Sequence, residues 1–392
     1  MRPVWLLVHR VAGLATAGFL LVAGLTGAVI AFHFELDAAL NPDIFAIHGG
    51  EAGPPLPVDM LADRVAAAEP QAVLRYMPLN VRPGETARIG LRPRFDAAAG
   101  RPAPLGYDEV FVAPDSGRII ERRQRYGCCL DRRHLVGFLY RLHYTLLLPG
   151  RWGTWLMGAV AVIWLADSFI GAYLTLPRAR PLAAHWAVSW KIKRGAAPRR
   201  RHLDLHRAGG LWFFPVLVML AFTGIYFNLN AELFRPAVGL FSQPTPSPYE
   251  QRAARPPGDP AVARIGFGGI AERAAAEAAR RGWRDRPGGI SYHPAYGIYA
   301  VHFFPGQADY GAGPNRPYLY YDGSDGRLLQ AEVPLQGSAA DILFRLQFPL
   351  HSGWIAGLPG RILVSLAGLV TAMLSVTGIV LWWRRGRPAR RG

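Results

Sequence analysis

"VHRVAGLATAGFLLVAGLTGAVIAF", Val8–Phe32, and "LHRAGGLWFFPVLVMLAFTGIYFNL", Leu205–Leu229, decide the fold between them. Each is an apolar run about as long as the roughly 20 residues a bilayer requires of a helix. Laid over one another without a gap, they match His9 with His206, Arg10 with Arg207, Gly13 with Gly210, Thr26 with Thr223 and Gly27 with Gly224. Agreement at one constant offset predicts an internal repeat. Two further apolar runs, Trp152–Leu176 and Ile362–Trp383, bring the expected spans to four. "RLHYTLLLPGRWG" before the second and "PLHSGWIAGLPGRIL" before the fourth pair His143 with His351, and these spans close on "IGAYLTLPR" and "TGIVLWWRR".

The expected fold class is a membrane protein, a four-helix transmembrane bundle with an internal two-fold repeat, carrying periplasmic α+β domains. Transmembrane helices are expected over 4–34, 151–177, 203–231 and 360–383. Between them fall two outer segments, 35–150 and 232–359, a basic loop, 178–202, and a tail, 384–392.

The formal net charge of +17 is a matter of placement. Arg178–His202 holds eight basic residues and no acid, and the chain from Arg384 on holds five more. Glu35–Arg151 carries 15 basic against 14 acidic residues, and Glu232–Arg361 carries 13 against 11. Lys and Arg gather in short loops that stay cytoplasmic, so the excess reads as topology, with anionic lipid as a partner and nucleic acid excluded. Both termini are then expected in the cytoplasm of a bacterium and both long segments in the periplasm. The first span is longer than a signal h-region and no small-residue cleavage site precedes "HFELD", so it reads as an anchor.

In the outer segments, "DEVFVAPDSGRIIERR" and "RPYLYYDGSDGRLLQA" alternate apolar residues around an Asp/Ser/Gly turn, the pattern of a hairpin. Met60–Ala68 and Ala261–Arg281 have helical period, and "SQPTPSPYEQRAARPPGDP" is a linker. Each segment is therefore expected to be a small α+β unit. The two cysteines, Cys128 and Cys129, are neighbours, and they supply no metal site without a second pair.

At "HRVAG…LTGAVIAFHFELDAALNP", "VFVAPDSGRII" and "LQFPLHSGWIAGLPGRIL" the chain resembles the PepSY-associated transmembrane proteins, over nearly its whole length. That family includes inner-membrane ferric-siderophore reductases with two b-type haems, iron-regulated proteins of unsettled role, and members fused to flavoprotein modules. The resemblance implies PepSY-like periplasmic domains, two haem b, a ferric-siderophore substrate and a cytoplasmic or quinol electron donor. No flavodoxin-like or dinucleotide-binding stretch accompanies it.

Histidine placement is the chemistry that the residues themselves offer, because a polar ring in lipid must find a partner. His9, His202 and His206 fall near the cytoplasmic ends of the spans; His33, His143 and His351 fall near the periplasmic ends. His9 and His33 are 24 residues apart, about 36 Å along a helix. Low-spin haem iron takes two axial imidazoles from facing helices, so the repeat predicts His9 with His206 on one side and His143 with His351 on the other. His33 competes for the outer site and His202 for the inner one. Arg10 and Arg207 are candidates for haem propionates, and the shared glycines would let a flat macrocycle or a helix approach. Asp167, in "IWLADSFIG", is the one acid inside the four apolar runs, suited to a proton route or to hydrogen-bonding a ligand histidine. His134, His185, His293 and His302 read as surface or fold residues.

The resemblance implies outward electron transfer to a ferric-siderophore, and reduction would release the metal because ferrous iron is held less tightly by hard oxygen donors. Arg125, Tyr126, Tyr318, Tyr320 and Tyr321 are candidate contacts for the chelate. Two alternatives share the sequence: a haem b electron carrier serving another protein, and a membrane-tethered PepSY module that binds or regulates without catalysis.

Overall fold

The computed structural model describes residues 1–47, 53–304 and 316–384, and the basic tail lies outside the described residues from 385 on. In chain order the longer helices are α1 (Arg2–Ile30), α2 (His33–Leu40), α3 (Val58–Ala68), α4 (Leu135–Thr145), α5 (Trp152–Thr175), α6 (Pro198–Trp212), α7 (Phe214–Asn228), α8 (Phe267–Arg280), α9 (Ala339–Ser352) and α10 (Gly357–Trp383). The chain divides into two compact units. One comprises Met1–His33, Leu139–Phe241 and the chain from Leu346 on; the other comprises Phe34–Phe138 and Ser242–Arg345.

The first unit is helical and apolar. Three helices, α1, α5 and the one ending at Trp383, are long and apolar enough to cross a bilayer; there are four spans if α6 and α7, bent by 70°, make one. That bend departs from the single straight helix expected over 203–231. Its cause is Pro215, which has no N–H to donate and whose ring displaces the carbonyl one turn back. The break falls at Phe213, whose N–H turns back to Gly209 and Leu211. The first turn of α6 also takes in Arg199–Arg201, which were expected in the loop.

Where α1 crosses α10 the backbones touch. A Cβ on Gly24 would lie 2.5 Å from the Gly368 carbonyl oxygen, and the reverse holds for Gly368 against Gly24. Small residues at such a crossing let helices gain dispersion contacts that lipid does not supply. Ser365 donates to the Ala28 carbonyl at 2.9 Å beside it. Arg361, buried at the start of α10, donates to the Ala31 carbonyl at 2.9 Å and lies between the rings of Phe32 and Trp354, 4.4 and 4.5 Å from their centroids.

Beside a two-stranded ribbon of Phe95–Asp96 and Arg101–Pro102, the second unit is built on an eight-stranded antiparallel sheet fed by both outer segments. The first contributes β1 (Ala72–Pro78), β2 (Ala87–Pro93), β3 (Glu109–Val112) and β4 (Ile119–Arg123); the second contributes β5 (Pro287–His293), β6 (Ile298–Phe303), β7 (Tyr318–Asp322) and β8 (Leu328–Glu332). The order is β8-β7-β6-β5-β1-β2-β3-β4. Two separate α+β units were expected; instead each helix-plus-four-strand half joins the other through its first strand, Met77 opposite Ile290 and Pro78 opposite Gly289. A side chain at Gly289 would meet the Tyr76 ring, so glycine is required at this seam. Alternation sorts the faces: Ile89, Val110, Ile290, Val301 and Leu319 form one core with Val65 of α3 and Ile270 of α8.

The "FELDAALNP" stretch is structural. Asp37 of α2 receives both terminal nitrogens of Arg123 at 2.8 Å, and Glu109 receives its Nε at 2.7 Å. Asn41 then donates to Asp37 and to the Arg132 carbonyl, at 3.0 and 2.9 Å. A buried charge survives only when paired in this way.

On the other sheet face His302 bonds Ser291 at 3.2 Å and packs on Tyr318, while His293 packs on Tyr249. Burial holds the His302 ring down to about 4, with His293 assisting. Burial, then Arg92 and Arg75, holds His293 down to about 4. Between those values and the ordinary 6.5 the unfolded chain binds more protons than the fold, so stability falls as pH drops from 6.5 toward 4. At pH 5 His302 should cost about 1–2 kcal/mol relative to pH 7.5, and His302→Gln should flatten the pH dependence of the β-sheet melting transition.

Candidate functional site

Four histidines of the helical unit stand in two pairs. His9 of α1 faces His206 of α6 with ring centroids 6.1 Å apart and planes at 64°. His143 of α4 faces His351 of α9 at 6.2 Å and 62°. Each pair takes one ring from the first half of the chain and one from the second.

Every ring is held from behind through Nδ1. His9 Nδ1 lies 2.9 Å from Asp167 Oδ1 of α5. His206 Nδ1 lies 3.1 Å from the Leu374 carbonyl and 3.0 Å from Thr377 Oγ1 of α10. His143 Nδ1 lies 3.0 Å from the Ala23 carbonyl and 3.1 Å from Thr26 Oγ1 of α1. His351 Nδ1 lies 2.7 Å from Thr223 Oγ1 of α7. A neutral imidazole bonded at Nδ1 to a carbonyl or carboxylate carries its proton there and presents a lone pair at Nε2, as metal-ligating histidines do. No protein group hydrogen-bonds any of the four Nε2 atoms among the described residues.

Glycine shapes three of the seats. A Cβ at Gly171 would come within 3.3 Å of His9 Cε1, at Gly378 within 3.4 Å of His206 Cε1, and at Gly27 within 3.0 Å of His143 Cε1. His351 instead meets the edge of Phe227 at 5.3 Å. The threonines bond back to their own helices as well, Thr26 to the Val22 carbonyl and Thr223 to the Met219 carbonyl, which fixes each hydroxyl before a ring arrives.

The remaining candidates are not members of the two ring pairs. His33 Nδ1 bonds the Ile30 carbonyl at 2.8 Å and its ring meets Tyr140, closing the end of α1. His202 turns back to the Pro198 carbonyl. Arg207 is bound to Asp204 at 3.1 Å and to the Val188 carbonyl at 3.0 Å, a fixed contact with the basic loop. Arg10 is half-buried beside His9. Tyr320 and Tyr321 are buried in the sheet unit and Tyr318 packs on His302, so these three are fold residues, in contrast to the expected chelate contacts. The Arg125 guanidinium lies over the Tyr126 ring at 5.4 Å. The sulfurs of Cys128 and Cys129 meet across a cis peptide bond.

Thr26 and Thr223 stood matched in the sequence without a role. Gly171, Thr377 and Gly378 were visible only as the openings of "IGAYLTLPR" and "TGIVLWWRR".

A metal–imidazole bond is about 2.0 Å, so two rings on opposite sides of one metal atom have centroids about 6.3 Å apart, close to both observed spacings. Among the described residues no three His, Cys, Asp or Glu gather into a metal site of their own. The pairs therefore suit a metal whose other ligands come from elsewhere.

The profile described as "PepSY-associated TM region" matches residues 6–385. No curated protein matches the chain. Apolar helices that can cross a bilayer, a mixed α/β unit set between them in sequence, and a family profile running through both lead to one statement: this chain is a membrane protein and belongs to the PepSY-associated transmembrane family.

Proposed function

We propose that the chain is a duplicated, two-haem electron-transfer protein of a bacterial inner membrane that reduces a ferric-siderophore in the periplasm. The observation that supports it is the pair of imidazole pairs, each at the spacing of two axial ligands on one iron. The donor set fits haem b: each site needs only two side chains because the porphyrin supplies four nitrogens, and all four rings reserve Nε2 for a ligand. When bound, haem iron carries one electron by passing between the ferric and ferrous states.

The protein's part is to hold two such groups at separate seats. Asp167, Leu374, Ala23 and the three threonines fix the tautomers and the ring planes; the glycines admit the rings close to the helices. The residues matched at one sequence offset, Thr26 with Thr223, make the same kind of contact to His143 and His351, in line with a duplicated bundle. The basic segment 178–202 and the tail remain cytoplasmic, which sends the sheet unit to the periplasm. There Arg75 and Arg92 are exposed and make no ion pair among the described residues, beside His293, suited to an anionic ferric chelate. The electron donor is a cytoplasmic reductant or quinol.

Full-length protein purified in detergent after expression with ample porphyrin should show a Soret band and about two haems per chain. Reduced with dithionite under anaerobic conditions and freed of excess, it should be reoxidised by a ferric-siderophore with ferrous iron appearing in a chelator trap. Colourless protein refutes the haem reading; coloured protein that ferric chelates leave reduced would point to a protein acceptor.

A further inference from the structure

The two sites differ in the charge of the groups behind their rings. His206, His143 and His351 rest on neutral acceptors, a backbone carbonyl or a threonine hydroxyl, whereas His9 rests on the side chain of Asp167. Asp167 is buried on α5, and no Lys or Arg pairs with it among the described residues. Its counterpart on α10 is Leu374, which offers only a backbone carbonyl.

Resting on the two-haem reading, we infer that Asp167 is a positioning residue that makes the His9–His206 site the lower in potential, so that an electron shared between the sites settles at His143–His351. The reason is electrostatic. A ferric porphyrin core carries one net positive charge and a ferrous core carries none, so a carboxylate one imidazole away favours the ferric form. The same carboxylate draws on the Nδ1 proton and makes His9 a more basic ligand, which acts in the same direction. In the transfer, iron held by His9 and His206 is oxidised from ferrous to ferric and iron held by His143 and His351 is reduced from ferric to ferrous. One electron moves and no bond is made or broken. The asymmetry gives the relay a direction, away from the His9 end of the bundle.

Spectroelectrochemical titration of the full chain in detergent tests this through midpoint potentials. Two one-electron waves are expected, and His351→Ala, which leaves the His9–His206 site alone, should retain the lower. Asp167→Asn keeps the shape and an acceptor oxygen but removes the charge. It should raise the lower wave by about 59 mV or more, tenfold in the reduction equilibrium, and leave the upper in place. Asp167→Glu should restore the wild-type value. If Asp167→Asn sheds a haem, the wild-type assignment still decides: a lower wave belonging to His143–His351 overturns the inference. So does an unmoved lower wave in an Asp167→Asn protein with two haems. Wild-type protein without haem would instead overturn the reading beneath it.

Discussion

If the chain holds two haems as proposed, His206→Ala should leave one of them and His351→Ala should leave the other. Each substitution removes one axial imidazole, and its partner, His9 or His143, remains hydrogen-bonded in place with nothing opposite it. A single imidazole leaves the iron at best five-coordinate and more loosely held, so the low-spin signal of that site should be lost and its haem depleted on purification, read by the optical spectrum together with the pyridine haemochrome assay. The two histidines that competed for these roles give the contrast. His33→Ala and His202→Ala should retain both haems, because His33 closes a helix end and His202 turns back on Pro198. Unchanged haem content in both His206→Ala and His351→Ala would refute the pairing.

The second large effect lies away from the rings. Gly24→Leu should abolish binding at both sites and lower the yield of folded protein. A Cβ at Gly24 lies 2.5 Å from a backbone oxygen of α10, which has no rotamer by which to retreat, so α1 and α10 must separate. Overpacking of this kind costs about 1–3 kcal/mol or more. The displaced helices carry His9 and the seat of His143 on one side and the seat of His206 on the other. Gly18→Leu is the control, since a Cβ there meets nothing within 4 Å. If Gly24→Leu protein purified with two haems, the crossing would not control the sites.

Apolar length and the His-Arg-x-x-Gly match made the helical unit legible, because lipid permits few solutions to backbone hydrogen bonding. The hairpins around Gly117 and Gly326 were legible from their turn residues; both glycines have positive φ, 73° and 71°. Three features were not. The bend at Phe213 was carried by Pro215 inside an apolar run, where composition alone suggested continuity. The helix crossing uses Gly24 and Gly368, which hold no matched places, while matched Gly13 and Gly210 would bear a Cβ in ordinary contact, at 3.8 and 3.9 Å. The seam of the sheet pairs strands more than two hundred residues apart, and strand pairing over such a distance leaves no local pattern.

That seam bears on how the protein is made. A ribosome that has produced only the first outer segment leaves Tyr76–Pro78 as a raw strand border, hydrogen-bonding groups bared and prone to annealing with a neighbouring chain. Its mate, Gly289–Ser291, emerges only after the third apolar stretch has been threaded. Biogenesis therefore includes an interval in which the nascent polypeptide needs shelter, and separately expressed halves should be recovered as aggregates unless they are supplied together.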